Sequence, residues 1–207
     1  MMIKRVCDLT IILLFLPLFL SLIVLISIFS LLQQGRPIFF IQNRVGKNSR
    51  IFKLYKFRTM EITAEEDFHK THYLDLAKGK NIIPSNFPLE PIRIENDDRI
   101  TRYGAFLRKT SLDELPNIFN VLTGEMSIVG PRPLVNYEAE LYGDFNKKRC
   151  SVPPGITGLA QVQGRLDLSL QERLYWDLKY IDEYSFFNDI KIIYKTFSSV
   201  VSRKGAN

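Results

Sequence analysis

From Leu9 to Leu32 the chain carries no charged side chain, and this apolar run is long enough to cross a bilayer. Pro17 falls early in it and predicts a sharp kink, because proline lacks an N–H and clashes with the preceding turn. A continuous helix from Ile3 to Leu32 measures about 45 Å, more than the roughly 30 Å hydrocarbon core requires. Two geometries follow: a kinked transmembrane anchor, or a re-entrant helix-break-helix that dips into one leaflet and returns. A cleaved signal peptide fits less well, since Gln33-Gln34-Gly35-Arg36 follows the run where small residues would be expected.

Farther along, Ile38-Phe39-Phe40-Ile41 and the stretch from Ile51 to Phe57 are strand-like runs flanking Val45-Gly46-Lys47-Asn48-Ser49, which predicts a β-hairpin. A short helix is expected near residues 62–77. Gly79, Pro84, Pro88 and Pro91 then predict a surface loop. Helical spacing returns with Leu170, Leu174, Leu178 and Ile181, and again with Ile190, Ile193, Phe197 and Val200 after a break near Ser185. The last helix mixes Phe186, Phe187 and Tyr194 with Lys191 and Lys195, a composition suited either to a membrane surface or to packing against the core. The expected fold class is α+β, mostly helical: a membrane hairpin over residues 1–34, and a domain over 35–207 with a short β-hairpin and amphipathic membrane-surface helices.

Charge sharpens the membrane reading. Lys4 and Arg5 precede the apolar run; Arg36, Arg44, Lys47, Arg50, Lys53, Lys56 and Arg58 follow it with no acidic residue before Glu61. Basic flanks prefer the cytoplasmic side, and a hairpin keeps both there. A net charge of +6 over 207 residues suits anionic headgroups or phosphate-bearing ligands. Cys7 and Cys150 are the two cysteines, too few for a disulfide framework. His69 and His72 are spaced to share a helix face, but no third ligand stands at a typical metal-site spacing nearby.

The densest chemistry lies between residues 108 and 133. Asp113 and Glu114 stand side by side after Arg108 at the start of an expected helix through Leu122. Ser111 with Glu114 matches a capping box, and Asp113 can itself cap a first turn containing Pro116. The functional alternative makes one carboxylate a nucleophile while its neighbour helps hold a divalent cation, with Arg108 supplying charge for phosphate. In Gly130-Pro131-Arg132-Pro133, two prolines restrict the backbone around a guanidinium whose planar fork suits phosphate. Pro154-Gly155-Ile156-Thr157-Gly158, followed by Gln161 and Arg165, forms another constrained loop with a basic end.

Taken in order, Lys53-Leu54-Tyr55-Lys56-Phe57-Arg58-Thr59-Met60, Ser111-Leu112-Asp113-Glu114-Leu115-Pro116, Gly130-Pro131-Arg132-Pro133 and Pro154-Gly155-Ile156-Thr157-Gly158 resemble the bacterial sugar transferase family, the monotopic phosphoglycosyl transferases. The resemblance runs over nearly the whole chain. It implies transfer of a sugar 1-phosphate from a nucleotide sugar, usually a UDP-sugar, to undecaprenyl phosphate at the cytosolic face of the bacterial inner membrane. By the same resemblance, Asp113 is the nucleophile of a covalent phosphosugar intermediate. Glu114 and Asp113 organise Mg2+, and Arg108 and Arg132 bind phosphate. Lys56 and Arg58 neutralise phosphate, and the loops carrying Pro131, Pro133, Gly155, Thr157, Gly158, Gln161 and Arg165 border the donor. A homodimer on the lipid bilayer is compatible with it.

The chain departs from the pattern at Leu16, where small members commonly have serine before Pro17. Residues 79–98 also run longer than in the smallest members. The rival class, a membrane-bound basic scaffold or nucleic-acid binder, accounts for the charge but finds no base-stacking platform or nucleic-acid motif here. No nucleic-acid partner is therefore expected. The sugar and the glycan pathway are not written in these motifs.

Overall fold

The computed structural model describes residues 2–62, 71, 97–164 and 167–202, with the side chains of 199–202 excepted. The expected helix near 62–77, His69 and His72, the loop after Gly79, and Arg165 lie outside the described residues.

Helix α1 runs from Met2 to Gln34 as one element through Pro17. The expected break into two helices at Leu16 and Pro17 is thus not made. Proline deletes a single intrahelical donor, and such losses are tolerated where neighbours support the turn. Here Leu16 packs into two core clusters at once. Ser21 Oγ donates to the Pro17 carbonyl at 2.9 Å, anchoring the following turn.

One face of α1 is buried along its length: Lys4, Asp8, Ile12, Ile23, Ile26 and Ser30, at the three- and four-residue steps of a helix stripe. The other face is apolar and exposed, with Leu14 and Leu32 more than two-thirds accessible, at 71% and 73%. Both ends are tied to the rest of the molecule. At the N-terminal end, Lys4 Nζ pairs with Asp189 at 2.6 Å, Arg5 donates to the carbonyls of Val121 and Leu122, and Ser127 Oγ donates to Asp8 at 2.7 Å. At the C-terminal end, Thr101 Oγ1 donates to Gln34 Oε1 at 3.1 Å and Tyr103 OH to the Ile26 carbonyl at 3.3 Å.

The hairpin forms as expected, with β1 (Phe39–Val45) antiparallel to β2 (Ile51–Phe57) and Phe39 opposite Phe57. Strand alternation puts Phe52, Leu54 and Lys56 on one face. Phe52 and Leu54 are core residues beside Ile12 of α1, so the Lys56 amine emerges at the core's edge.

Helix α2 (Arg102–Lys109) begins at Thr101, whose hydroxyl accepts from the Gly104 N–H at 2.9 Å. A 3-10 turn (Leu112–Asn117) follows, then α3 (Ile118–Thr123). Two three-residue strands, β3 (Ser127–Val129) and β4 (Gly155–Thr157), pair in parallel and were not apparent from the sequence. Between them lie α4 (Asn136–Leu141) and α5 (Asp144–Arg149). Helix α6 (Leu159–Gln163) precedes the two expected amphipathic helices, α7 (Leu170–Asp182) and α8 (Phe186–Ser202). Helix α8 buries Asp189 and Ile192 and exposes Phe187, Tyr194 and Phe197. The architecture is mostly helical around a small hairpin, with a long apolar helix at its N-terminus.

Candidate active site

Ser111 adopts a left-handed conformation at φ 56°, which costs a serine roughly 1 kcal/mol or more and sets up the 3-10 turn in place of an ordinary helix start. The expected capping box is not made. Ser111 gives no side-chain cap, and Glu114 turns its carboxylate instead toward β2, where Lys56 Nζ reaches Oε1 at 2.5 Å. Arg132 approaches the same oxygen at 3.6 Å from the loop after β3. Three segments distant in sequence thereby converge on one carboxylate.

Asp113 is treated differently. It is 8% exposed, and among the described residues its carboxylate makes no hydrogen bond or ion pair. Burial pushes its pKa above the usual carboxylate value, opposed by the positive charge of Lys56 and, more weakly, of Arg108 and Arg132. Burial likewise lowers the Lys56 amine, against the pull of Glu114. Arg108 comes from the last turn of α2, where Thr59 Oγ1 receives its Nε at 3.0 Å. A buried carboxyl group shifted by desolvation and surrounded by positive charge is the kind of environment found at functional sites.

A cleft opens beside Glu114, lined by Arg44, Lys56, Asn117, Arg132, Pro133, Gly155, Ile156 and Gln161 among others; Asp113, Arg108 and Pro131 are not among its lining residues. The parallel β3–β4 pair brings the two constrained loops together. Pro131 accepts from the Gly155 N–H at 2.9 Å. A Cβ on Gly158 would lie 2.1 Å from the Gly130 carbonyl oxygen, so glycine is what permits that approach.

Not every expected residue joins the cleft. The Arg58 guanidinium donates to the carbonyls of Gln34, Gly35 and Arg36, and so secures the C-terminal end of α1 instead of facing phosphate. Thr157 Oγ1 lies 2.6 Å from Thr196 Oγ1 and faces α8. Leu16 and Pro17 belong to α1, and Gly158 supports the loop contact. Residues that sequence reasoning did not single out also line the cleft, notably Arg44 and Asn117. The Asn117 Oδ1 is buried without a hydrogen-bond partner. Asn117's position one turn beyond Asp113 is a signal for it; Arg44 has no such local mark.

The donor set suits a hard divalent cation. Magnesium is commonly held by one or two carboxylates, with substrate phosphates and water completing its shell. Asp113, with no hydrogen bond or ion pair among the described residues, and Glu114 beside it would supply that pair. Among the described residues no group of three metal-ligating side chains exists, so a cation held there would need ligands from outside the protein.

A buried carboxylate with cations around it thus stands on a fold whose first helix exposes an apolar face. Residues 1–203 match the bacterial sugar transferase family, and the chain belongs to it. It is 43% identical over 175 residues to a galactosyl transferase, CpsE, of Streptococcus agalactiae, covering 84% of this chain and 37% of that protein. It is 41% identical over 174 residues to an undecaprenyl-phosphate galactose phosphotransferase of Salmonella typhimurium, covering 84% of this chain and 35% of that one. The exopolysaccharide production protein ExoY of Rhizobium meliloti is 37% identical over 203 residues, covering 94% of this chain and 81% of its own. The chain therefore spans little more than a third of the first two relatives.

Proposed function

We propose that this protein transfers a sugar 1-phosphate from a nucleotide sugar, a UDP-sugar, to undecaprenyl phosphate, through a covalent intermediate on Asp113. The observation that carries the reading is the Asp113 carboxylate: buried, without a hydrogen bond among the described residues, and with the positive charges of Lys56, Arg108 and Arg132 around it. The galactose phosphotransferase activity named for the Salmonella relative supports the same reaction class.

In the first step an Asp113 oxygen attacks the phosphorus that bears the sugar. The new P–O bond forms as the bond to the nucleoside monophosphate breaks, and that monophosphate leaves with the electron pair. In the second step the undecaprenyl phosphate oxygen attacks the same phosphorus and Asp113 leaves as a carboxylate, giving a polyprenyl diphosphate sugar. Arg108 and Arg132 neutralise phosphate oxygens, which a negatively charged nucleophile requires. Lys56 holds Glu114 until substrate enters and then shares its charge between carboxylate and phosphate. Asp113 and Glu114 are the residues that would hold magnesium, which when bound would supply further charge neutralisation.

The acceptor is confined to lipid and the donor to water, so the site belongs at the headgroup plane of the cytoplasmic membrane, on the cytosolic side. Both ends of α1 are anchored on one domain, which argues against a straight span carrying one end across. The exposed apolar faces of α1 and α8 supply the surface to embed.

Nucleoside monophosphate release tests the reading, measured on purified protein with undecaprenyl phosphate, Mg2+ and a panel of UDP-sugars. Release with at least one donor is expected, and donor alone should add a sugar-phosphate mass to the protein that Asp113→Asn abolishes. No release with any donor overturns the assignment. Turnover without an adduct, and full activity in Asp113→Asn, overturns the covalent route.

A further inference from the structure

Arg132 is presented by a loop that has little to be held by. Pro131 and Pro133 lack N–H groups, so the tripeptide must be fixed largely through its carbonyls. All three carbonyls have donors. Pro131 accepts from the Gly155 N–H at 2.9 Å, and Pro133 from Arg44 at 3.0 Å. The carbonyl of Arg132 itself accepts from the guanidinium of Arg149.

Arg149 lies at the end of α5 and is 4% exposed. Its Nε donates to Asp177 Oδ2 of α7 at 2.7 Å, and its guanidinium sits 5.9 Å from the Tyr142 ring centre. The Asp177 side chain is 1% exposed, with Arg173 as a second positive neighbour. A fully buried ion pair is weak as a stability device, since desolvation offsets most of its attraction. It does fix direction: with Nε committed to Asp177, a terminal nitrogen is left pointing at the Arg132 carbonyl. Lysine has one amine on a flexible stem and cannot serve both partners in that planar arrangement.

We propose that Arg149, oriented by Asp177, is a positioning residue for Arg132: it clamps the Arg132 carbonyl from behind and so sets the direction in which the Arg132 guanidinium meets the substrate diphosphate. The inference rests on the reading of Arg132 as a phosphate ligand. Arg149 touches no substrate, and its effect must pass through Arg132.

A double-mutant cycle on binding of inorganic diphosphate decides it, using the full chain in lipid nanodiscs with Mg2+ and titration calorimetry. Arg149→Lys is expected to weaken binding about tenfold, and to add less than about twofold in an Arg132→Lys background. An equal loss in both backgrounds overturns the proposal, as does unchanged binding in Arg149→Lys or no binding by the unaltered protein. Thermal unfolding checks that each variant folds. Should Arg149→Lys not fold, the near-isosteric Asp177→Asn takes its place in the same cycle, with a several-fold coupled loss expected and additivity again overturning the idea. Diphosphate binding needs no turnover, so a chain with the coupled pattern but no sugar transfer overturns the transferase reading and leaves the clamp standing.

Discussion

Lys56 and Glu114 stand 58 residues apart in the chain and 2.5 Å apart in space. Strand β2 delivers the amine and the 3-10 turn delivers the carboxylate. The pair binds Glu114, while its neighbour Asp113 keeps no internal partner among the described residues.

Replacing Lys56 by methionine keeps the length of the side chain and removes its charge. Transfer is expected to fall by about a hundredfold, the scale typical of losing one electrostatic contact at a developing charge. Steady-state kinetics of monophosphate release measures it. A fall of less than threefold places Lys56 outside the reaction.

Burial of Asp113 carries a stability cost at neutral pH. Its raised pKa means that the folded chain holds this proton more tightly than the unfolded chain does. The group's contribution to stability is therefore greatest at low pH and falls as pH rises from the unperturbed value of 3.8 through the higher folded value. Asp113→Asn is expected to abolish transfer and yet raise stability near neutral pH by about 1 kcal/mol, the usual trade at a strained site. Thermal midpoints at pH 7 and pH 4 check it: the gain should shrink at the lower pH.

Activity should follow the same two groups. The acid limb of the rate profile is expected above the ordinary carboxylate value, because Asp113 must be ionised to attack. The alkaline limb is expected below 10.5, because burial lowers the Lys56 amine. A profile of kcat/KM against pH reads both, and Lys56→Met should remove the alkaline limb attributed to it.

Arg58 should behave as a structural residue. Its guanidinium serves three carbonyls where α1 ends, so Arg58→Ala is expected to destabilise by about 2–3 kcal/mol through the loss of charged hydrogen bonds to these part-buried acceptors. The KM for donor in the folded fraction should change little. A selective rise in donor KM without loss of stability would return Arg58 to the phosphate site.

Gly158→Ala is a severe test of the two-loop contact. Its Cβ would lie 2.1 Å from the Gly130 oxygen, so backbone must move; a cost above about 2 kcal/mol and loss of activity are expected. Denaturant titration and monophosphate release measure the two effects.

The sequence by itself determined whatever depends on neighbours in the chain. Strand-like runs around a turn marked the hairpin, an unbroken apolar run marked α1, and helical spacing marked α7 and α8, all features written over a few neighbouring residues. Residue chemistry and the order of the motifs singled out Asp113, Glu114 and Arg132 as candidates for nucleophile, metal ligand and phosphate fork. The tertiary structure decided what depends on distant partners. Pro17 stayed within one helix because Leu16 and the underlying core support it. Glu114 left its expected cap because Lys56 lies within reach and Ser111 adopts a left-handed turn. The short strands β3 and β4 exist by pairing with each other, too brief for any pattern of their own. The buried arginines Arg44 and Arg149 look like surface charge in the sequence, and they grip the Arg132 loop because folding places them beside the carbonyls of Pro133 and Arg132.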